Sequence, residues 1–88
     1  PLERITADLL QVRVHTGSKL AGVEIGELRL PEGAVVTLIV RDEKGFVPTR
    51  MTRLRRHDEM LVVATRAVRD ETEARITSIS RDGRLAGW

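Results

Sequence analysis

The sequence predicts an α+β domain: a small, mainly antiparallel sheet with a short helical segment after the first strand and a C-terminal helix. Three observations carry that reading. Apolar residues fill two nearly unbroken runs of strand length, Ala34 to Arg41 and Met60 to Ala64. The tight reversal Asp-Glu-Lys-Gly follows the first run directly, as in an antiparallel hairpin. Beyond Asp70 the apolar spacing lengthens to that of a helix face.

Residues Leu9 to Val14 (LLQVRV) alternate, with Leu10, Val12 and Val14 on one side, and read as the first strand. His15, Thr16, Gly17 and Ser18 break it. In the following SKLAGVEIGEL, two glycines weaken a long helix by about 1 kcal/mol each. A short helical turn over Val23 to Leu28 is expected instead, docking Ile25 and Leu28 into a core. Pro31 closes it, and Glu32-Gly33 reads as a turn. Ala34 to Arg41 is the second strand, and Gly45 is expected to take the positive φ of the hairpin loop. Phe46 and Val47 begin the returning strand, which Pro48 confines to a short or edge position. Thr49 to Asp58 is a polar, arginine-rich connection, and Met60 to Ala64 is the next strand. Asp70 and Glu73 match a helix-start capping pair. Thr72, Ile76 and Ile79 share the inner face of a helix of about ten residues, which Gly83 ends.

The chain has 88 residues, so one domain is expected. It contains no cysteine, which excludes disulfides and thiolate zinc sites. No apolar run approaches the ~20 residues needed to cross a bilayer, and no signal peptide is visible. The sequence starts at Pro1 and reads as a piece of a longer protein, with 1–7 a linker from a preceding domain, 8–80 the domain and 81–88 a tail. Net charge is only +2, and Phe46 and Trp88 are the only aromatics, so neither a strong basic face nor a stacking platform points to nucleic acid.

Two all-apolar strands cannot both be covered by one short helix. An uncovered face would expose several hundred Å² of apolar surface, beyond what monomers usually show. The simplest cover is a second copy of the chain, so a homodimer through the sheet or a groove beside it is expected.

Catalysis is not expected. His15 and His57 are the only histidines, and neither sits beside a plausible nucleophile with an orienting third group. Asp42-Glu43 reads as a solvated hairpin tip, since a hard cation wants six or more oxygens, and no metal site is expected. Gly22 and Gly26 lack the strand-before, helix-after setting of a phosphate loop. Arg50, Arg53, Arg55 and Arg56 form the one dense charge cluster, either a solvated loop or a docking surface for lipid headgroups or an acidic ligand. Arg41 is expected to pair with Asp42 or Asp58, or to line a groove between subunits.

The frame GVEIGELRLPEGAVVTLIVRD, then FVP, then TRLRRHDEMLVVA, resembles the TrkA C-terminal domain, also called the C-terminal lobe of the regulator of potassium conductance (RCK). The pattern positions are Gly22, Ile25, Leu28, Pro31, Gly33, Arg41, Val47, Pro48, Thr52 and Asp58, and the match spans roughly Asp8 to Ala64. His57 departs from it, standing where the family usually places Gly. The ending RDGRLAGW is similar to the tails of NhaP-type bacterial potassium/proton antiporters.

The resemblance implies a cytosolic, dimeric, non-enzymatic regulatory module on the cytoplasmic side of the cell membrane, attached to a membrane antiporter domain in the same protein and controlling cation transport. A purely structural dimerisation module and a free-standing nucleotide sensor are the alternatives. No cofactor is implied. Some relatives bind cyclic di-AMP between two copies through an Arg at the helix exit and an Asn opening the long strand. Leu30 and Val35 stand nearest those positions here, so cyclic di-AMP is expected to bind weakly or not at all. Any groove on a dimer axis is lined twice by the same residues. Its expected lining is Val14, His15, Ile25, Leu30, Pro31, Val35 and Val36, with Arg41 supplying charge, which would suit a flat, mostly apolar ligand such as a nucleobase.

Overall fold

Alternation in ADLLQVR builds β1 (Ala7–Arg13), which buries Leu10 and leaves Leu9, Gln11 and Arg13 exposed. The computed structural model describes residues 7–86. A 3₁₀ turn, Ile25–Leu28, follows β1 after a loop. Then come β2 (Ala34–Arg41), β3 (Lys44–Phe46), β4 (Glu59–Thr65), a second 3₁₀ turn at Arg66–Val68, and α1 (Arg69–Asp82). The strands form one antiparallel sheet in the order β1-β4-β2-β3, so β1 and β3 are its edges. Among the described residues no helix is long and apolar enough to cross a membrane.

The core lies between one face of the sheet and α1. Leu10, Val36, Ile39, Met60, Val62 and Ala64 come from the strands, Ile76 and Ile79 from the helix, and Val14, Leu20, Val23, Leu28 and Leu54 from the connections. Thr72, Ile76 and Ile79 are all buried, as the helical spacing predicts. The length of the apolar run in β2 has a local cause. The β2–β4 register shifts between Val36 and Leu38, so Val36 and Ile39, three residues apart, both face the core. The bulge is held by Thr37, whose hydroxyl donates to the Leu61 carbonyl at 3.1 Å.

Three expectations are corrected. The hairpin loop is the two residues Asp42 and Glu43, both at positive φ (51° and 66°), so the positive φ does not fall on Gly45. Gly45 instead pairs with Val40 inside β3, where a Cβ would stand 3.3 Å from the Leu38 side chain. The Asp70–Glu73 pair does not cap α1. The helix grows out of the preceding 3₁₀ turn with Val68 at its N-cap, and Arg69 takes the Asp70 carboxylate at 3.2 Å and that of Glu73 at 3.9 Å. The helix has 14 residues rather than about ten, starting one residue ahead of Asp70 and continuing to Asp82, directly before Gly83. A capping interaction occurs instead at the first 3₁₀ turn, where the Glu24 N–H donates to the Glu27 carboxylate at 3.0 Å.

Gly83 ends α1 at φ +98°, its N–H on the Ile79 carbonyl, and the chain folds back so that Ala86 packs against the core. Arg75 fastens this return, donating to the carbonyls of Leu28 (3.0 Å) and Ala86. Of the linker expected at 1–7 only Ala7 lies within the described residues, as the first residue of β1, and the last two residues of the expected tail lie outside them.

Candidate functional site

Arg41 closes β2 and Asp58 precedes β4, on neighbouring strands. The backbone brings them together through a bulge. His57, at φ +75°, donates its N–H to the Val14 carbonyl at 2.7 Å, and Val14 returns its own N–H to the Asp58 carbonyl at 2.9 Å. Two residues thus oppose one, with the first in the left-handed region that favours glycine. The turn leaves Asp58 facing inward, 1% exposed. Its carboxylate accepts from Arg41 Nε at 2.9 Å, Arg41 Nη2 at 2.7 Å and the Arg55 N–H at 2.8 Å. Burial pushes the carboxyl up, but the Arg41 hydrogen bonds, the Arg55 N–H and the two guanidinium charges together hold it below the usual carboxylate range. The Asp58 hydrogen bond raises Arg41 in turn, against burial. The guanidinium also donates to the Arg53 carbonyl at 3.0 Å and stacks 5.0 Å from the Phe46 ring centroid. Arg41 is therefore a clasp within one chain, making the pair with Asp58 that was one of the arrangements expected of it.

The remaining expected groove residues divide. Val14 and Val36 are buried in the core, because Val14 continues the inward face of β1 and the Thr37 bulge keeps Val36 inward. Ile25 and Leu30 are partly buried against that core. Pro31 is partly exposed, and Val35 turns to the other face of the sheet, 55% exposed. His15 is exposed and lines a different cleft.

That other sheet face carries no helix. By register it presents Leu9 (59% exposed) on β1, Leu61 and Val63 on β4, and Val35, Leu38 and Val40 on β2. Six apolar side chains on three adjacent strands make one continuous patch. Strand alternation alone did not isolate it, because the β2 bulge breaks the period halfway along.

A cleft of about 620 Å³ runs between the outer edge of β1 and α1, with Leu10, Val12 and Ile76 in its floor and Arg13, His15, Arg69, Glu73 and Arg81 on its walls. A smaller one, about 300 Å³, lies at the hairpin tip and His57, with Asp42, Glu43 and Glu59 facing Arg13 and Arg56. No group of three His, Cys, Asp or Glu residues able to hold a metal occurs among the described residues.

The TrkA-C domain family matches residues 9–77, and the chain belongs to that family. Solved structures share its fold. A structure described as an RCK domain with cda is 22% identical, covers 76% of this chain and 94% of its own, and superposes with a TM-score of 0.56. The RCK_C domain dimer of S. agalactiae BusR in complex with c-di-AMP is 22% identical, covers 78% and 95%, and gives a TM-score of 0.61. S. agalactiae BusR in complex with its busAB-promotor DNA gives the same identity and TM-score, with 35% of that longer chain covered. No curated protein matches the chain.

Proposed function

We propose that this TrkA-C domain is the regulatory, dimerising domain of a potassium/proton (monovalent cation/proton) antiporter, held at the cytoplasmic side of the cell membrane by the transporter domain of the same protein. The observation that carries dimerisation is the continuous apolar patch on the helix-free sheet face, from Leu9 across Leu61 and Val63 to Val35 and Leu38. Monomers rarely leave such a face to water, and a related fold is described as an RCK_C domain dimer. A two-fold pair burying it would turn a change in the relative orientation of two copies into a signal for the attached transporter. A coupling of only ~1–3 kcal/mol suffices for such control.

One related fold is described in complex with c-di-AMP, which makes a nucleotide the ligand class to test first. Cyclic di-AMP itself fits this chain poorly. Leu30 packs on the core and Val35 is a bare aliphatic side chain on the open face, so neither offers a donor to a phosphate. Absence of enzymatic activity is part of the same reading.

The test is cation-driven proton flux in vesicles containing the full transporter, with and without residues 1–88. Removal of the domain should change the pH or nucleotide dependence of flux while leaving transport itself in place. Unchanged regulation would leave the domain a structural dimerisation module, and a gene encoding no transporter domain would make it a free-standing sensor.

A further inference from the structure

The two edges of the sheet are unequal. β3 is three residues long and is followed two residues on by Pro48, which cannot donate to a ladder, so that edge offers a further strand little to pair with. β1 has seven residues, no proline or glycine, and an unshifted register with β4 from Ala7 to Arg13. Val14 directs both backbone groups at the His57–Asp58 bulge. Since backbone groups alternate along a strand, Val12 and Leu10 also face β4, while Leu9, Gln11 and Arg13 offer N–H and C=O to the free edge.

The 620 Å³ cleft lies along this free edge, with α1 as its far wall. From Leu9 to Arg13 it follows the strand for roughly 13 Å, and a single stripe of α1 from Arg69 to Arg81 flanks it. A groove between an open strand edge and a helix is the geometry in which an extended peptide adds as a further strand. Its charge is polarised. At the start of β1, Arg69 is already held by Asp8 at 3.2 Å and lies near Glu73. At the other end stand Arg13, which makes no ion pair among the described residues but lies opposite Glu59 in the sheet, then His15, and Arg81, paired with the exposed Asp82. The helix wall is polar at Glu73, Thr77 and Arg81, so a second copy's helix would meet little apolar surface there.

We infer that the β1–α1 groove binds an extended peptide segment as a fifth strand, with apolar side chains over Leu10 and Ile76 and carboxylates at the Arg13–His15–Arg81 end. The site borders the helix-free sheet face at Leu9, which belongs to both, and does not depend on the antiporter reading.

The test uses the 88-residue chain and an acetylated octapeptide that alternates valine with threonine and ends in two glutamates. Saturable binding is expected, with amide exchange at Leu9, Gln11 and Arg13 slowed at least about tenfold, as when exposed backbone groups enter a ladder. A glutamine-ended peptide should bind about tenfold more weakly, the size of two lost peripheral ion pairs. N-methylation at alternate peptide residues, which leaves the protein untouched, should abolish binding. Gln11→Pro should do the same. Arg13→Glu with Arg81→Glu should reverse the preference toward a lysine-ended peptide. The inference is overturned if no peptide binds up to millimolar concentration, or if the N-methylated peptide binds as well as its parent. It is equally overturned if Gln11→Pro or the peptide splits a dimer into monomers, because the edge would then belong to a second copy.

Discussion

Arg41 grips Asp58 with two parallel hydrogen bonds, from Nε at 2.9 Å and Nη2 at 2.7 Å, and the same carboxylate also accepts the Arg55 N–H. This joins the end of β2 to the turn that starts β4. Because Asp58 is nearly inaccessible to water, removing its partner leaves a buried carboxylate without its main compensation. Arg41→Met should therefore cost about 3 kcal/mol, in the range for breaking a buried ion pair from one side, measured by urea unfolding at pH 7.

The pH dependence of stability has a definite sign. The folded Asp58 carboxyl titrates below its ordinary value, so the stability it contributes is complete above the unfolded pKa of about 3.9 and is lost as pH falls through the lower folded value. Unfolding free energy should be level from about pH 7 to pH 5 for this group and decline below about pH 4. In Asp58→Asn that part of the acid slope should be missing. An unchanged slope would assign the acid transition to other carboxylates.

His57 holds a left-handed conformation at the first position of its bulge, which costs a non-glycine residue ~1–2 kcal/mol. Glycine removes that cost but adds unfolded-state entropy of ~0.4–1 kcal/mol. His57→Gly should thus be neutral to stabilising by about 1 kcal/mol, read from the urea midpoint. Gly33→Ala should go the other way, because Gly33 sits at φ +99° with a Cβ position 3.0 Å from the Thr65 hydroxyl and 3.2 Å from Val68. A loss of about 1–3 kcal/mol is expected there.

Cyclic di-AMP should show no submicromolar binding by titration calorimetry. Leu30 and Val35 supply no donors where relatives of the resembled kind place Arg and Asn, and a phosphate left without donors carries its desolvation penalty. Leu30→Arg with Val35→Asn should raise the affinity, and submicromolar binding by the unaltered chain would refute the assignment of these two positions.

Where residue chemistry alone sets the backbone, the sequence was readable. Ala34 to Arg41 is a strand between the same two residues in expectation and in structure, bounded by Gly33 and the hairpin. β3 is a short edge strand, as Pro48 requires, although it runs Lys44–Phe46 instead of beginning at Phe46 and Val47, and the Thr72–Ile76–Ile79 spacing marks the buried face of α1. Where two segments distant in sequence decide the outcome, it was not. Thr37 is unremarkable as a residue, and its bulge exists because its hydroxyl meets the Leu61 carbonyl of β4. That bulge moves Val36 into the core and leaves Val35 on the open face, which divides the expected groove. Arg41 has several acidic neighbours in sequence, and only the His57 bulge, closing on Val14, selects Asp58. The β1–α1 cleft joins residues about sixty positions apart, and only His15 of the expected groove lies in it.

The helix-free sheet face is the surface on which dimeric regulation rests, and sedimentation equilibrium of the chain and of its Leu61→Asp variant tests it most directly. Leu61 lies at the centre of that face, opposite Gln11 on one side and Leu38 on the other, and outside the core cluster, so the variant should keep its fold by circular dichroism. At tens of micromolar (about the range that reveals a weak dimer) the unaltered chain should sediment at twice its 9.9 kDa mass and the variant as a monomer. A monomeric parent, or a variant that remains dimeric, would contradict the assignment of this face.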